Sequence, residues 1–143
     1  MGTVRQSVTA GGIALWWLGL IPALAQSPVN GQSLYVERCA TCHGANLEGQ
    51  PDWMVRKPDG KLPAPPHDET GHTWHHSDRQ LLQIIRDGLG SIAPGYVTDM
   101  PAFGETLSDD EILAILDYLK SQWPERARAF QAARSADDPL TPL

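Results

Sequence analysis

"ERCATCHGANLEGQ", residues 37–50, holds the only two cysteines of the chain, Cys39 and Cys42, with His43 directly behind them. Thiols at positions i and i+3 lie about one helical turn apart and can face the same way. Four chemistries use part of this pattern. A disulfide between Cys39 and Cys42 closes a very small loop and leaves His43 without a purpose. A redox dithiol uses C-x-x-C, but behind a β-strand in a βαβ unit and with no need of the histidine. Zinc needs a third and a fourth ligand, usually well away from the first pair. Covalent haem attachment takes two thioether bonds from the thiols and an axial nitrogen from the adjacent imidazole. Only the last uses all three residues.

Upstream, "MGTVRQSVTAGG" carries one charge, Arg5, and "IALWWLGLIPALA" is apolar up to the small-residue site Ala23-Leu24-Ala25. A basic start, a short apolar stretch and an A-x-A site predict a secretory signal peptide over residues 1–25, cleaved after Ala25. The alternative is an uncleaved membrane anchor. A spanning helix needs roughly 20 apolar residues, however, and Pro22 sits near the end of this shorter run. The expected division is therefore signal 1–25, folded domain 26–135 and flexible tail 136–143, with no stable membrane insertion after cleavage. Removing residues 1–25 takes away Arg5 alone among the charges, so the formal balance moves from −6 to −7 and 118 of 143 residues remain. An acidic exported domain lacks the clustered basic face that nucleic acid requires. Export also places the thiols in an oxidising compartment, where an unprotected pair tends to form a disulfide.

Downstream of Ala25 the chain reads as helix and loop, with no period-two alternation and no internal repeat. "NGQSLYVERC" predicts a short helix with Asn30 as N-cap. "GANLEGQPDWMVRKPDGKLPAPPHDETGHT" is rich in Gly, Pro, Asn and Asp, which break helix and strand alike. So long an irregular loop makes sense in a small domain if it wraps something large. "HSDRQLLQIIRDGLG" predicts a helix capped by Ser77 and stopped at Gly88 or Gly90. "LSDDEILAILDYLKSQW" predicts the strongest helix: Ser108 and Glu111 form a capping box, and Ile112, Ile115, Leu116 and Leu119 repeat at helical spacing. Pro124 ends or kinks it. "ERARAFQAARSA" is read as a peripheral helical turn or two. The expected class is all-α, with three principal helices, long loops and a core thin enough to want a bulky ligand.

A second axial ligand belongs far along the chain. "GYVTDMPAFGETL" places Met100 in a polar, Gly- and Pro-rich loop where a thioether has little packing purpose. With His43 it gives His/Met ligation, suited to moving single electrons. "CATCHG", "LPAPP", "GHTWHHSD" and "MPAFGETLSDDEILAILDYLKSQWP" together make residues 31–124 resemble a class I, mono-haem cytochrome c domain of the small bacterial kind. The resemblance implies a cytochrome c-like fold around one haem c, attached covalently through Cys39 and Cys42, with His43 proximal and Met100 distal. It implies that the first and last helices cross, with Gly31 permitting close approach and Tyr35, Tyr118 or Leu119 filling the contact. The family's Gly-Pro-x-Leu turn is replaced by Ala64-Pro65-Pro66-His67, so the acceptor for the proximal Nδ1–H is expected at Pro65, with histidine where leucine is common.

Several residues have competing readings. His72, His75 and His76 could form a metal or catalytic site, but neighbouring histidines without further ligands fit local packing, haem-propionate bonding and solvent exposure better. Met54 is a rival sulfur ligand and is read as packing. Trp74 and Trp123 are expected to cover haem or core with their indole N–H groups on acceptors. Asp109 and Asp110 are helix-start charges. The function expected is a periplasmic one-electron carrier, not an enzyme, with donor and acceptor proteins as partners. The alternatives are a small haem enzyme or gas-binding cytochrome with an open distal site, an electron-transfer subunit of a larger respiratory complex, and a haem-free thiol-disulfide protein.

Overall fold

The computed structural model describes Gly2 and residues 29–140; the expected signal peptide (Gly2 apart), its cleavage site and the last three residues lie outside the described residues. Among the described residues the only regular elements are helices: α1 (Gly31–Arg38), α2 (Ala40–His43), α3 (Asp78–Asp87), α4 (Asp109–Gln122) and α5 (Glu125–Asp137), with 3-10 turns at Thr73–His75 and Leu89–Ser91. The starts of the three main helices are fixed by their caps. The Asn30 side chain accepts from the Ser33 N–H at 3.1 Å, the Ser77 hydroxyl accepts from Gln80, and Ser108 and Glu111 complete a reciprocal capping box. Gly88, at φ +84, stops α3 where a side chain would be strained.

The core is built on the crossing of α1 and α4. A Cβ on Gly31 would stand 1.9 Å from the Ala114 carbonyl oxygen, so only glycine lets the two backbones meet. Beside that contact, Tyr35 is fully buried, and its ring lies 5.5 Å from that of Tyr118. Ile112, Ile115, Leu116 and Leu119 form the inner face of α4, and Leu81 and Leu82 of α3 close on the same cluster. The expected crossing of the first helix with the amphipathic one is thus formed, with Gly31 and Tyr35 in the expected places.

The C-terminal segment differs from expectation. "ERARAFQAARSA" lies within a 13-residue helix that begins after Pro124 and runs through Asp137, two residues into the stretch 136–143 expected as a flexible tail. Its buried residues are Ala127 and Gln131, one turn apart. The Gln131 amide donates to the His76 carbonyl at 3.3 Å and to Asp78 Oδ1 at 2.8 Å. Asp138 then accepts from the Ser77 hydroxyl and the Arg79 guanidinium. A polar residue and an alanine do the anchoring, so no apolar stripe announces the helix.

The long segment between His43 and Thr73 contains no helix and is fastened to the core from both sides. Leu47 is buried, its carbonyl accepts from the His67 N–H at 2.8 Å, and the Trp123 indole donates to the His67 carbonyl at 2.7 Å.

Candidate haem site

α1 ends at Cys39, whose backbone N–H donates to the Tyr35 carbonyl, and the chain turns once more to form α2. The His43 N–H donates back to the Cys39 carbonyl at 2.9 Å, so both cysteines and the histidine belong to one turn. Cys39 is half-buried, Cys42 is exposed, and both are free thiols. Burial, with Cys42 close by, pushes the Cys39 thiol up to about 11. That is the opposite of the lowered value that an attacking dithiol needs.

His43 is almost fully buried. Its Nδ1 lies 2.9 Å from the Pro65 carbonyl oxygen. A carbonyl can only accept, so Nδ1 carries the proton and Nε2 keeps its lone pair. Burial lowers the His43 pKa against the opposing pull of the Pro65 bond, which favours the neutral ring, the form able to bind a metal.

Pro65 is brought there by glycine. Gly49, at φ +68, sits so tightly on the loop that a Cβ would meet Pro66 N at 2.5 Å and Pro65 C at 2.7 Å. Its own N–H donates to the His43 carbonyl at 2.8 Å. Gly49 is a positioning residue that reading the sequence missed. In a segment already full of glycine, nothing separates a turn glycine from one that is a packing surface.

His67 takes a place that the sequence marked only as a departure. Its ring stacks on that of His43, with centroids 4.0 Å apart and planes 21° from parallel. Its Nδ1 pairs with the Thr73 hydroxyl at 2.7 Å. Burial, followed by the nearby His43 and His72, holds its pKa well below the usual imidazole range, so the stack is between neutral rings.

Met100 is half-buried in the loop between the Leu89–Ser91 turn and α4. Its backbone N–H donates to the Thr98 hydroxyl at 3.0 Å. Three residues on, Phe103 and Gly104 donate to the Ile85 and Arg86 carbonyls at 2.9 Å, docking the loop on the end of α3.

The rival residues are placed elsewhere. Met54 is 74% exposed, so the expectation that it packs is not met; it stands at the outside of its loop. His72 stacks on Trp53 at 5.5 Å, and His75 packs against Trp74 and Phe130. Among the described residues no three His, Cys, Asp or Glu side chains gather as a metal site. Trp123 and Trp74 satisfy their indole N–H groups on the His67 and Glu69 carbonyls.

The sequence model of the family described as Cytochrome c matches residues 28–123. The chain belongs to the cytochrome c family. A similar protein is the gluconate 2-dehydrogenase cytochrome c subunit of Pantoea cypripedii, 28% identical over 112 residues, which are 73% of this chain and 22% of that one. The chain thus spans about a fifth of the length of that relative. No solved structure matches. As a cytochrome c the chain carries covalently bound haem c, and Cys39 and Cys42 stand at the C-x-x-C-H spacing that receives it. The residues present fit the group: two free thiols on one turn and a neutral imidazole with its Nε2 lone pair unused. The family and the relative both point to electron transfer. Among the described residues no helix is long and apolar enough to cross a membrane.

Proposed function

We propose that the chain is a periplasmic one-electron carrier whose haem c is held axially by His43 and Met100 and covalently by Cys39 and Cys42. The observation that carries this reading is the His43–Pro65 hydrogen bond, which fixes the tautomer and direction of a buried imidazole directly beside Cys42. Haem c, when bound, supplies a single Fe(III)/Fe(II) couple. The chain's own part is to orient His43, to present Met100 from a loop docked on α3, and to keep water from the His43 face by burial. One electron enters from a reduced donor protein and leaves to an oxidised acceptor protein, with no bond of the chain made or broken.

The test is Met100→Ala in the haem-loaded protein. The far-red sulfur–iron charge-transfer band should vanish, and carbon monoxide should bind the reduced protein, which the parent refuses. Survival of that band in Met100→Ala, with its loss in Met54→Ala, would reverse the assignment.

A second reading is favoured by the relative, which is named as a dehydrogenase's cytochrome c subunit. On that reading the domain accepts electrons within a larger assembly. Isolation from its own cells under mild conditions separates the two: a dehydrogenase that stays bound through gel filtration supports the assembly, and a free monomer supports the carrier.

A further inference from the structure

The residue before Met100 is gripped from a distant part of the chain. Asp99 receives the Lys57 ammonium on Oδ2 at 2.9 Å and the Lys61 ammonium on Oδ1. One carboxylate is thus shared by two cations, both from the long loop that follows the attachment turn. The two lysines are held in register by their own backbone, since the Lys57 N–H donates to the Lys61 carbonyl at 2.9 Å. A second contact lies three residues earlier, where the Arg56 guanidinium sits over the Tyr96 ring, 5.7 Å from its centroid. Arg56 is itself tied to the Gly60 carbonyl at 2.6 Å. Around this second contact Arg56 and Gly60 face Ala93, Pro94, Gly95 and Val97 across an open cleft. Among the described residues no backbone hydrogen bond joins the two loops. Their connection is made by side chains.

We infer that Lys57, Lys61 and Asp99 form a salt-sensitive latch that holds Met100 in its ligating position, so that opening the latch exposes the distal site to small exogenous ligands. The inference rests on the reading of Met100 as the distal ligand. Backbone bonds at Phe103 and Gly104 secure the loop beyond Met100; before Met100, the Thr98 hydroxyl bond stays within the loop itself. From residue 92 to Asp99 the fastening to the neighbouring loop is therefore ionic and cation–π. All three charged groups are partly exposed, with side-chain exposures of 40%, 28% and 55% for Lys57, Lys61 and Asp99. Exposed ion pairs of this kind weaken as salt shortens the screening length to about 3 Å at 1 M. The latch holds in dilute buffer and slackens in concentrated salt.

The experiment uses the haem-loaded full protein and compares carbon monoxide binding by the reduced form with the far-red sulfur–iron band of the oxidised form. Lys57→Gln/Lys61→Gln and Asp99→Asn should each raise the rate of carbon monoxide binding about fivefold at low salt and weaken the far-red band. The three changes together should do no more than either alone, because they remove one shared interaction. Lys57→Arg/Lys61→Arg should restore the parent behaviour, and 1 M sodium chloride should bring the parent to the level of the variants. Glu105→Gln, an exposed charge in the same loop, controls for net charge and should change nothing. If Met100→Ala opens the site but the latch variants match the parent at every salt concentration, the latch is overturned while the ligand assignment stands. If Met100→Ala leaves the band intact, the ligand assignment and the latch fall together.

Discussion

His43 is oriented by a main-chain oxygen, so the side chain at position 65 matters less than where its carbonyl lies. Pro65→Ala keeps that carbonyl and is expected to change stability by only about 1 kcal/mol. Gly49→Ala is expected to cost more, about 2–4 kcal/mol, because it forces alanine to φ +68 and drives a methyl into the Pro65–Pro66 backbone. Denaturant unfolding of the two haem-loaded variants measures the difference, and the reduction potential should move in Gly49→Ala alone, where the His43 bond is displaced. An equal effect from both would mean that the proline ring, and not the carbonyl's position, sets the site. Cys39, Cys42 and His43 could be singled out directly from spacing, because C-x-x-C-H is the pattern that covalent haem attachment uses. Gly49 and the stacking of His67 on His43 could not. Both arise from contacts across a loop, which no local pattern records.

At the level of elements, the α1–α4 crossing is set by the missing side chain of Gly31. Gly31→Ala would place a methyl 1.9 Å from the Ala114 carbonyl oxygen, which is main chain and cannot swing aside. The helices must separate, loosening Tyr35 from Tyr118 and from the Gly44 carbonyl that its hydroxyl reaches at 2.8 Å. A loss of about 2–4 kcal/mol is expected from such overpacking, measured by thermal or denaturant melting. A variant that melts with the parent would show that the crossing can relax freely. α1, α3 and α4 were legible because each carries a cap and α3 and α4 carry an apolar face as well. α5 was underestimated because Ala127 and Gln131 bury without a hydrophobic stripe, and because its hydrogen bonds go to Asp78 and His76, far back in the sequence. At its end, Asp138 has its carboxyl pKa lowered by the Arg79 hydrogen bond and then by Ser77. This tether is therefore complete above the ordinary carboxylate value of 3.8 and weakens as pH falls below it.

Across the whole molecule, the apolar cluster is drawn from α1, α3, α4, Leu47, Leu107, Trp123 and Ala127, while the stretch from Gly44 to His72 is irregular. So small a core leaves the loops dependent on haem c for their burial. Cys39→Ala/Cys42→Ala is accordingly expected to lose the cooperative melt seen by circular dichroism, and a sharp transition in that variant would show that the helices alone suffice. The one-turn attachment site also bears on the order of events during biogenesis. Cys39, Cys42 and His43 need only five consecutive residues to be in place, whereas the proposed ligation by Met100 would close a span of about 57 residues and carry the loop entropy of doing so. Attachment therefore needs no long-range folding of the chain to precede it. On the proposed ligation the distal half would then close onto a cofactor that can no longer diffuse away, with the prosthetic group as the starting point of maturation.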